Sequence, residues 1–461
     1  MADKFMKSIT FVEGGDQYYP LPKVTNADDG KVLKVVDGAW NVTDLIPPLP
    51  YLSFIGNEDF TLKTYNTTKN WDGTLEYSTD TSTWNTWDGT EISSSGSKLY
   101  LRGTGNTKIT GSTSPDNRFV FTGTNALKIA CEGNIENLLD YETVIAGGHP
   151  TMANNCYNGM FQDCTSLTTA PALPATTLAS GCYNGMFYGC TSLTTAPALP
   201  ATTLADYCYA NMFQGCTSLT TAPELPATTL AIRCYNAMFN GCTSLTSAPS
   251  VLPATTLVNY CYQSMFNRCT SLTSAPELPA TTLASGCYNG MFYGCTSLTT
   301  APELPATTLA DYCYYNMLRG CTSLTTAPAL PATTLAEDCY NGMFYGCTAL
   351  TKAPALPATT LVNYCYGYMF YGCTSLTTAP ALPATTLANY CYNNMLRGCT
   401  KIKLSTTQTG EYQTAYRIPK SGTGTTATNA LSNMFANTGG TFKGSPEINT
   451  TYYLSTSNTV V

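Results

Sequence analysis

Two cysteines eight residues apart recur ten times along this chain. The first of each pair stands at 156, 182, 208, 234, 261, 287, 313, 339, 365 and 391, and the second runs from Cys164 to Cys399. The interval is 26 residues, broken once by the extra residue in Ser250-Val251. These pairs use twenty of the 21 cysteines, and Cys131 lies 25 residues before the first. A fixed period of roughly 20 to 50 residues marks a unit that cannot bury its apolar face alone and does so by stacking on copies of itself. Ten copies therefore predict a solenoid.

Numbering each copy from its first cysteine as position 0, Cys182-Tyr-Asn-Gly-Met186-Phe187-Tyr-Gly189-Cys190 puts apolar residues at 0, 1, 4, 5 and 8. That stripe predicts a short amphipathic helix. Gly stands at position 7 in eight of the ten copies, where a left-handed residue would end the helix, and Asp163 and Arg268 are the exceptions. The following Thr191 to Pro200 is rich in Thr and Leu, which suits a strand, but Pro197 and Pro200 limit it to a few residues. Ten coils at a strand spacing of about 4.8 Å give a rod of roughly 45 to 50 Å.

The phrases "GCTSLTTAPALP" and "CYNGMFYGC" resemble the cysteine-containing leucine-rich repeats of the BspA-like family, found in surface and secreted proteins of gut and oral bacteria and in their phages. The resemblance spans residues 126–405. It implies a right-handed leucine-rich-repeat solenoid, with a parallel sheet on one face and short helices on the other, and a role in adhesion. The period here is longer than the commoner form of about 23 residues.

The flanks differ in kind. Residues 46–125 contain Tyr51-Leu-Ser-Phe-Ile, Gly73-Thr-Leu-Glu-Tyr, Lys98-Leu-Tyr-Leu-Arg and Arg118-Phe-Val-Phe, separated by Asn, Asp and Gly clusters, which predicts a small β-sandwich-like domain. Trp71-Asp-Gly and Trp87-Asp-Gly could form a carbohydrate platform, but paired tryptophans in so small a domain more often fill its core. Pro47, Pro48 and Pro50 make a stiff break before it, so residues 1–45 stand apart. That segment predicts a β-hairpin with strand Lys31 to Val36 and a turn at Asp37-Gly38. Its "GKVL-VVDG-W" stretch is similar to the N-termini of bacteriophage tail and head fibre proteins, where this part attaches the fibre to the virion. The resemblance makes Lys31, Val32, Leu33, Val35, Val36, Asp37, Gly38 and Trp40 the virion-anchor candidates, and fibres suggest a homotrimer by analogy. Residues 406–461 read as a C-terminal cap, in which Asn429 to Thr438 repeats the coil pattern with Ala and Thr in the cysteine positions.

The chemistry of an enzyme is missing. His149 is the only histidine, no Gly-rich phosphate loop follows a strand, and no carboxylate pair recurs. Zinc sites pair cysteines two to four residues apart, so C-x7-C predicts no metal and no cofactor. Charged residues make up 11% and the net charge is −7, which leaves no basic stripe for nucleic acid. No apolar run reaches the ~18 to 20 residues of a membrane span or forms a signal-peptide core, so synthesis and folding in a reducing cytosol are expected. Free, buried thiols are expected from that compartment and from the ~12 Å that eight helical residues span, although equivalent cysteines of neighbouring coils would stack ~5 Å apart, where a bridge in twos is permitted.

Thr-Ser-Leu-Thr and Leu-Pro-Ala-Thr-Thr-Leu scarcely change between copies, whereas positions −1, 3 and 6 do. On a helix these three share one outward face. Their Tyr, Asn and Gly content is that of adaptable contact surfaces, and Tyr offers stacking area for sugars. The ligand-contact candidates are Tyr188, Tyr207, Tyr260, Tyr293, Tyr312, Tyr315, Tyr345, Tyr364, Tyr368, Tyr371 and Tyr390. Together these features predict a non-enzymatic virion appendage, made in the host cytosol, that binds a virion structural protein through its N-terminal segment and a host surface protein or glycan through the solenoid. A bacterial BspA-like surface adhesin and an intracellular interaction scaffold are the alternatives.

Overall fold

The computed structural model describes residues 31–36, 39–44, 49–110, 118–419 and 427–461. They fall into two units divided after Pro48. In the first, β1 (Lys31–Val36) pairs antiparallel with β2 (Ala39–Asp44) in a register that sets Val36 opposite Ala39. Asp37 and Gly38, with residues 1–30 and 45–48 of the attachment-like segment, lie outside the described residues.

The second unit opens with strands β3 (Leu52–Gly56), β4 (Thr61–Thr64), β5 (Thr74–Ser78), β6 (Asn85–Trp87), β7 (Ile92–Ser93), β8 (Lys98–Thr104), β9 (Phe119–Thr122) and β10 (Ile129–Glu132). After them come helix α1 (Asn137–Ile145) and β11 (Leu167–Thr169). One sheet has the order β11-β10-β3-β8-β5-β6 and the other β7-β4-β9. Trp71 and Trp87 stack at 5.1 Å and are buried, so the platform reading gives way to the core reading. The sheet does not stop at the first coil, because β10 pairs antiparallel with β3 and parallel with β11 of that coil. β9 then stands in for a missing preceding coil. Phe119 N–H donates to Met160 C=O at 2.8 Å, Cys164 Sγ donates to Phe119 C=O at 3.1 Å, and the Phe119 and Phe161 rings meet edge to face at 5.9 Å.

Each coil contains a ribbon of interlocked turns where a short helix was expected. In the second coil the N–H groups of Cys182, Asn184, Met186, Tyr188 and Cys190 donate three residues back, to Ala179, Gly181, Tyr183, Gly185 and Phe187, at 3.0–3.2 Å. The N–H groups between them, on Gly181, Tyr183, Gly185, Phe187 and Gly189, donate to Asp206, Cys208, Ala210, Met212 and Gln214 of the next coil at 2.8–3.0 Å. The carbonyls of Ser180, Cys182, Asn184, Met186 and Tyr188 accept in the same way from the coil before. Every backbone group from position 0 to position 7 thus has a partner, half of them outside its own coil, as burial demands.

The geometry needs a left-handed residue every fourth place. Positions −1, 3 and 7 have positive φ in all ten coils, as in Gly181 (62°), Gly185 (58°) and Gly189 (70°). A four-residue period turns two side chains in and two out. It reproduces the 0, 1, 4, 5, 8 stripe that a 3.6-residue helix also produces over so short a run.

The inward positions form columns. Tyr157 through Tyr392 at position 1 stack with ring centres 5.5–5.9 Å apart, and the position-5 phenylalanines from Phe161 to Phe292 do so at 5.5–5.7 Å. Such offset aromatic pairs add about 0.5–1.5 kcal/mol each beyond their buried area. Cys182, Tyr183, Met186, Phe187, Cys190 and Leu193 are wholly buried. All 21 thiols are free and buried. Those at position 8 have a defined partner: Cys190 Sγ donates to Phe161 C=O at 3.0 Å and Cys216 Sγ to Phe187 C=O at 3.1 Å, and the arrangement repeats to Cys399. Burial pushes the Cys182 thiol up to about 12 and Cys190 well above its usual range, so both remain protonated.

The expected strands shrink to single bridges such as Thr195 with Thr221 and Thr326 with Lys352. Prolines in every coil remove the donors a longer ladder would need. β11, β12 (Thr378–Ala379) and, in the tenth coil, β13 (Lys403–Ser405) extend further. Threonine hydroxyls take over part of the bonding between coils, with Thr246, Thr299 and Thr351 Oγ1 donating to Thr220, Thr273 and Thr325 C=O at 3.1–3.4 Å.

At the far end, β13 (Lys403–Ser405), β14 (Tyr412–Arg417), β15 (Gly439–Gly440) and β16 (Thr451–Ser455) form a sheet of order β14-β16-β13-β15, while β17 (Thr459–Val460) pairs with β12. The segment from Asn429 to Thr438 winds as one more turn ribbon. Asn429, Asn433 and Asn437 hold the three left-handed positions, and Thr428, Ala430, Ser432, Met434 and Ala436 accept the outgoing N–H groups of the tenth coil.

Candidate binding surface

The outward positions of the turn ribbon form two strips that run along the stack. Positions −1 and 2 make the first: Tyr312 and Tyr315 meet edge to face at 5.9 Å, and Asn341 donates to Asp338 at 2.6 Å. Positions 3 and 6 make the second: Tyr368 packs on Tyr371 at 6.2 Å, and Arg397 donates to Asn394 at 3.1 Å. Among the candidate tyrosines, Tyr207, Tyr260, Tyr312, Tyr315, Tyr364 and Tyr390 lie on the first strip, and Tyr188, Tyr293, Tyr345, Tyr368 and Tyr371 on the second. A helical face would have merged them into one ridge.

The first strip carries backbone strain. Tyr207, Tyr260, Tyr312, Tyr364 and Tyr390 all have φ of 56–57°. A side chain with a Cβ pays about 1–2 kcal/mol there, a cost that Gly avoids. Tyrosine alternates along the third to ninth coils with Arg233, Gly286 and Asp338, and the neighbours explain it. A Cβ on Gly286 would lie 2.4 Å from the Tyr260 ring, so Tyr260 leans over the following coil and only Gly fits beneath it. Arg233 lies between Tyr207 and Tyr260, its guanidinium 5.9 and 4.9 Å from their ring centres. The nearby Asp338 carboxylate holds the Tyr312 phenol above its ordinary range.

The second strip is a continuous stack over the last five coils. Arg319 lies 5.5 Å from the Tyr293 ring and 4.0 Å from that of Tyr345, Tyr345 stacks on Tyr371 at 4.4 Å, and Arg397 lies 5.6 Å beyond. Tyr364 and Tyr390 stack likewise at 4.5 Å on the first strip. Each ring so paired has a face occupied, and Tyr345 and Tyr371 have both. Tyr188, Tyr207, Tyr312 and Tyr368 remain the most open of the eleven, at 36–39% exposure. The arginines are the part that sequence reasoning missed, although Arg319 and Arg397 occupy the same position 6 as Tyr345 and Tyr371.

Other chemistry is thin. His149 Nδ1 lies 2.8 Å from the buried Glu136 carboxylate, a pair that ties the α1 region together with no nucleophile beside it. Among the described residues no three His, Cys, Asp or Glu converge as metal ligands, and no helix is long and apolar enough to cross a membrane.

The model of the BspA type leucine rich repeat region matches residues 155–299, 202–326 and 287–403, which together cover more than half of the chain. The chain belongs to the BspA-type leucine-rich-repeat family. Repeats of this family serve in general as interaction modules rather than enzymes, and its proteins are typically associated with surfaces. No curated protein and no solved structure matches the chain.

Proposed function

We propose that this BspA-type chain is a non-enzymatic adhesin whose solenoid presents the two outward strips to a surface protein or glycan. One observation carries the reading. Five outward tyrosines at position −1 keep a left-handed backbone that Gly or Asn would adopt at lower cost. Strain retained where packing does not require it points to a role in contact.

The carrier we propose is a virion, with the hairpin from Lys31 to Asp44 and its flanking residues as the attachment segment and a homotrimer as its assembly. The fibre-like "GKVL-VVDG-W" stretch supports this reading. Display on a bacterial surface is the second reading, and family membership favours it. Particle proteomics separates them. Recovery of the chain from purified virions is expected, and recovery only from bacterial envelopes would overturn the virion assignment.

For the strips themselves, replacing Tyr207, Tyr260 and Tyr312 together by Ser is expected to leave the fold intact, because Ser264 already adopts φ of 53° in the same ribbon. Attachment to target cells should fall by about tenfold or more, the weight of ~1.4 kcal/mol. Attachment equal to wild type would move the site off this strip.

A further inference from the structure

The seventh and tenth coils depart from the other eight together at positions 5 and 6, and they share the Asn at position 3 with Asn211 of the third coil. Both read Asn-Met-Leu-Arg-Gly-Cys, with Asn316 and Asn394 at position 3, Leu318 and Leu396 in place of Phe at position 5, and Arg319 and Arg397 at position 6. Independent drift of an outward residue would not alter a buried position in step with it. The structure gives this partly buried Arg–Asn pair a common geometry, since Arg319 donates to Asn316 at 3.5 Å and Arg397 to Asn394 at 3.1 Å.

A guanidinium has two flat faces and an edge of N–H donors. The guanidinium of Arg319 lies over the Tyr293 and Tyr345 rings, and that of Arg397 over the Tyr371 ring. Neither arginine forms an ion pair among the described residues, and the buried Nε of Arg397 has no hydrogen-bond partner. On and beside the first strip, Asp311 accepts the Glu337 N–H at 3.0 Å and Asp338 the Asn341 amide at 2.6 Å. Because Tyr345 and Tyr371 also use their faces on each other, the stack itself offers a sugar no aromatic platform, and the open ring beside it is Tyr368. The stack offers edges instead: phenol hydroxyls and guanidinium N–H groups, one per coil, at intervals of about 4.8 Å.

We infer that the strip from Tyr293 to Arg397 binds an acidic polysaccharide, with the edges of Arg319 and Arg397 on its carboxylate or sulfate groups and the tyrosine hydroxyls donating to the oxygens between. This rests on the outward strips being the binding surface. The two guanidiniums stand three coils apart, roughly 14 Å, so one extended chain lying along the stack reaches both. A folded protein partner would need apolar faces to bury at the centre of its contact, and those of Tyr345 and Tyr371 are taken up by each other and by the arginines.

The test uses the full chain and two immobilised pairs, polygalacturonate with its methyl ester and dextran sulfate with dextran. Binding is expected to the acidic member of one or both pairs, and which pair responds separates a carboxylate ligand from a sulfate one. Arg319→Gln with Arg397→Gln should weaken that binding at least about tenfold at an unchanged melting temperature, the weight of a charge-assisted hydrogen bond. Lys352→Gln with Lys443→Gln, which removes two exposed charges elsewhere, should leave it unchanged. Equal binding to acidic and neutral members, binding to neither acid, or undiminished binding by the arginine variant would each overturn the inference. If that happens while the Tyr207, Tyr260 and Tyr312 variant still loses cell attachment, only the acidic-glycan assignment falls. If neither variant changes attachment or binding, the outward-strip reading falls with it.

Discussion

Phe187→Asp is expected to destabilise the solenoid by more than about 4 kcal/mol. The ring is wholly buried and stacks on Phe161 at 5.6 Å and on Phe213 at 5.5 Å, so the variant loses two aromatic contacts and leaves a carboxylate without a partner. The damage should spread. Each coil donates half of its ribbon N–H groups to the next, so a coil that unravels strips its neighbours of acceptors, and stability in such arrays is largely a matter of interfaces between repeats. Phe187→Leu makes the control, because Leu318 and Leu396 already fill this position, and it should cost about 1–2 kcal/mol. Thermal melting checks both. A Phe187→Asp chain that melts with the wild type would mean that the inward face has been assigned wrongly.

The second large effect is expected from removing residues 406–461. Tyr390, Tyr392, Asn394, Leu396 and Gly398 would lose the acceptors they find on Thr428, Ala430, Ser432, Met434 and Ala436, at about 1 kcal/mol each. Met395, Leu396, Ile402 and Leu404, all wholly buried in the intact chain, would then lie at an open end. The truncated protein should associate in light scattering, and the tenth coil should lose its amide protection in hydrogen exchange. A monomer with wild-type protection at Tyr392 and Leu396 would show that the closing ribbon caps nothing.

The sequence disclosed the period, the inward columns and the buried thiols, because each depends on side-chain size repeated in register. It misled on the element between the two cysteines. Over nine residues a four-residue ribbon and a 3.6-residue helix bury the same positions, so the stripe alone cannot separate them. The discriminating signal was present at positions −1, 3 and 7, where Gly181, Gly185, Gly189, Asn211 and Asn316 accumulate. Read only at position 7, that preference looks like a helix stop; read at all three, it gives a left-handed residue every fourth place. Helix α1 was also missed, since Asn137–Ile145 lies outside the repeat that dominates the reading. On the binding surface, tyrosines were legible as a type, while the use of Arg319 and Arg397 as stacking partners depends on neighbouring coils and could be seen only in three dimensions.

Substituting Gly185 by Ala tests the turn ribbon, and with it the arrangement of both strips, more directly than any other change. A Cβ there would meet only Tyr188 Cβ at 3.9 Å, so packing is neutral and the φ of 58° alone decides the outcome. In the ribbon the methyl group should destabilise the chain by about 1 kcal/mol, seen as a lower urea midpoint at unchanged slope. In a helix the same substitution would stabilise it by about 0.5–1 kcal/mol, and a raised midpoint would contradict the ribbon.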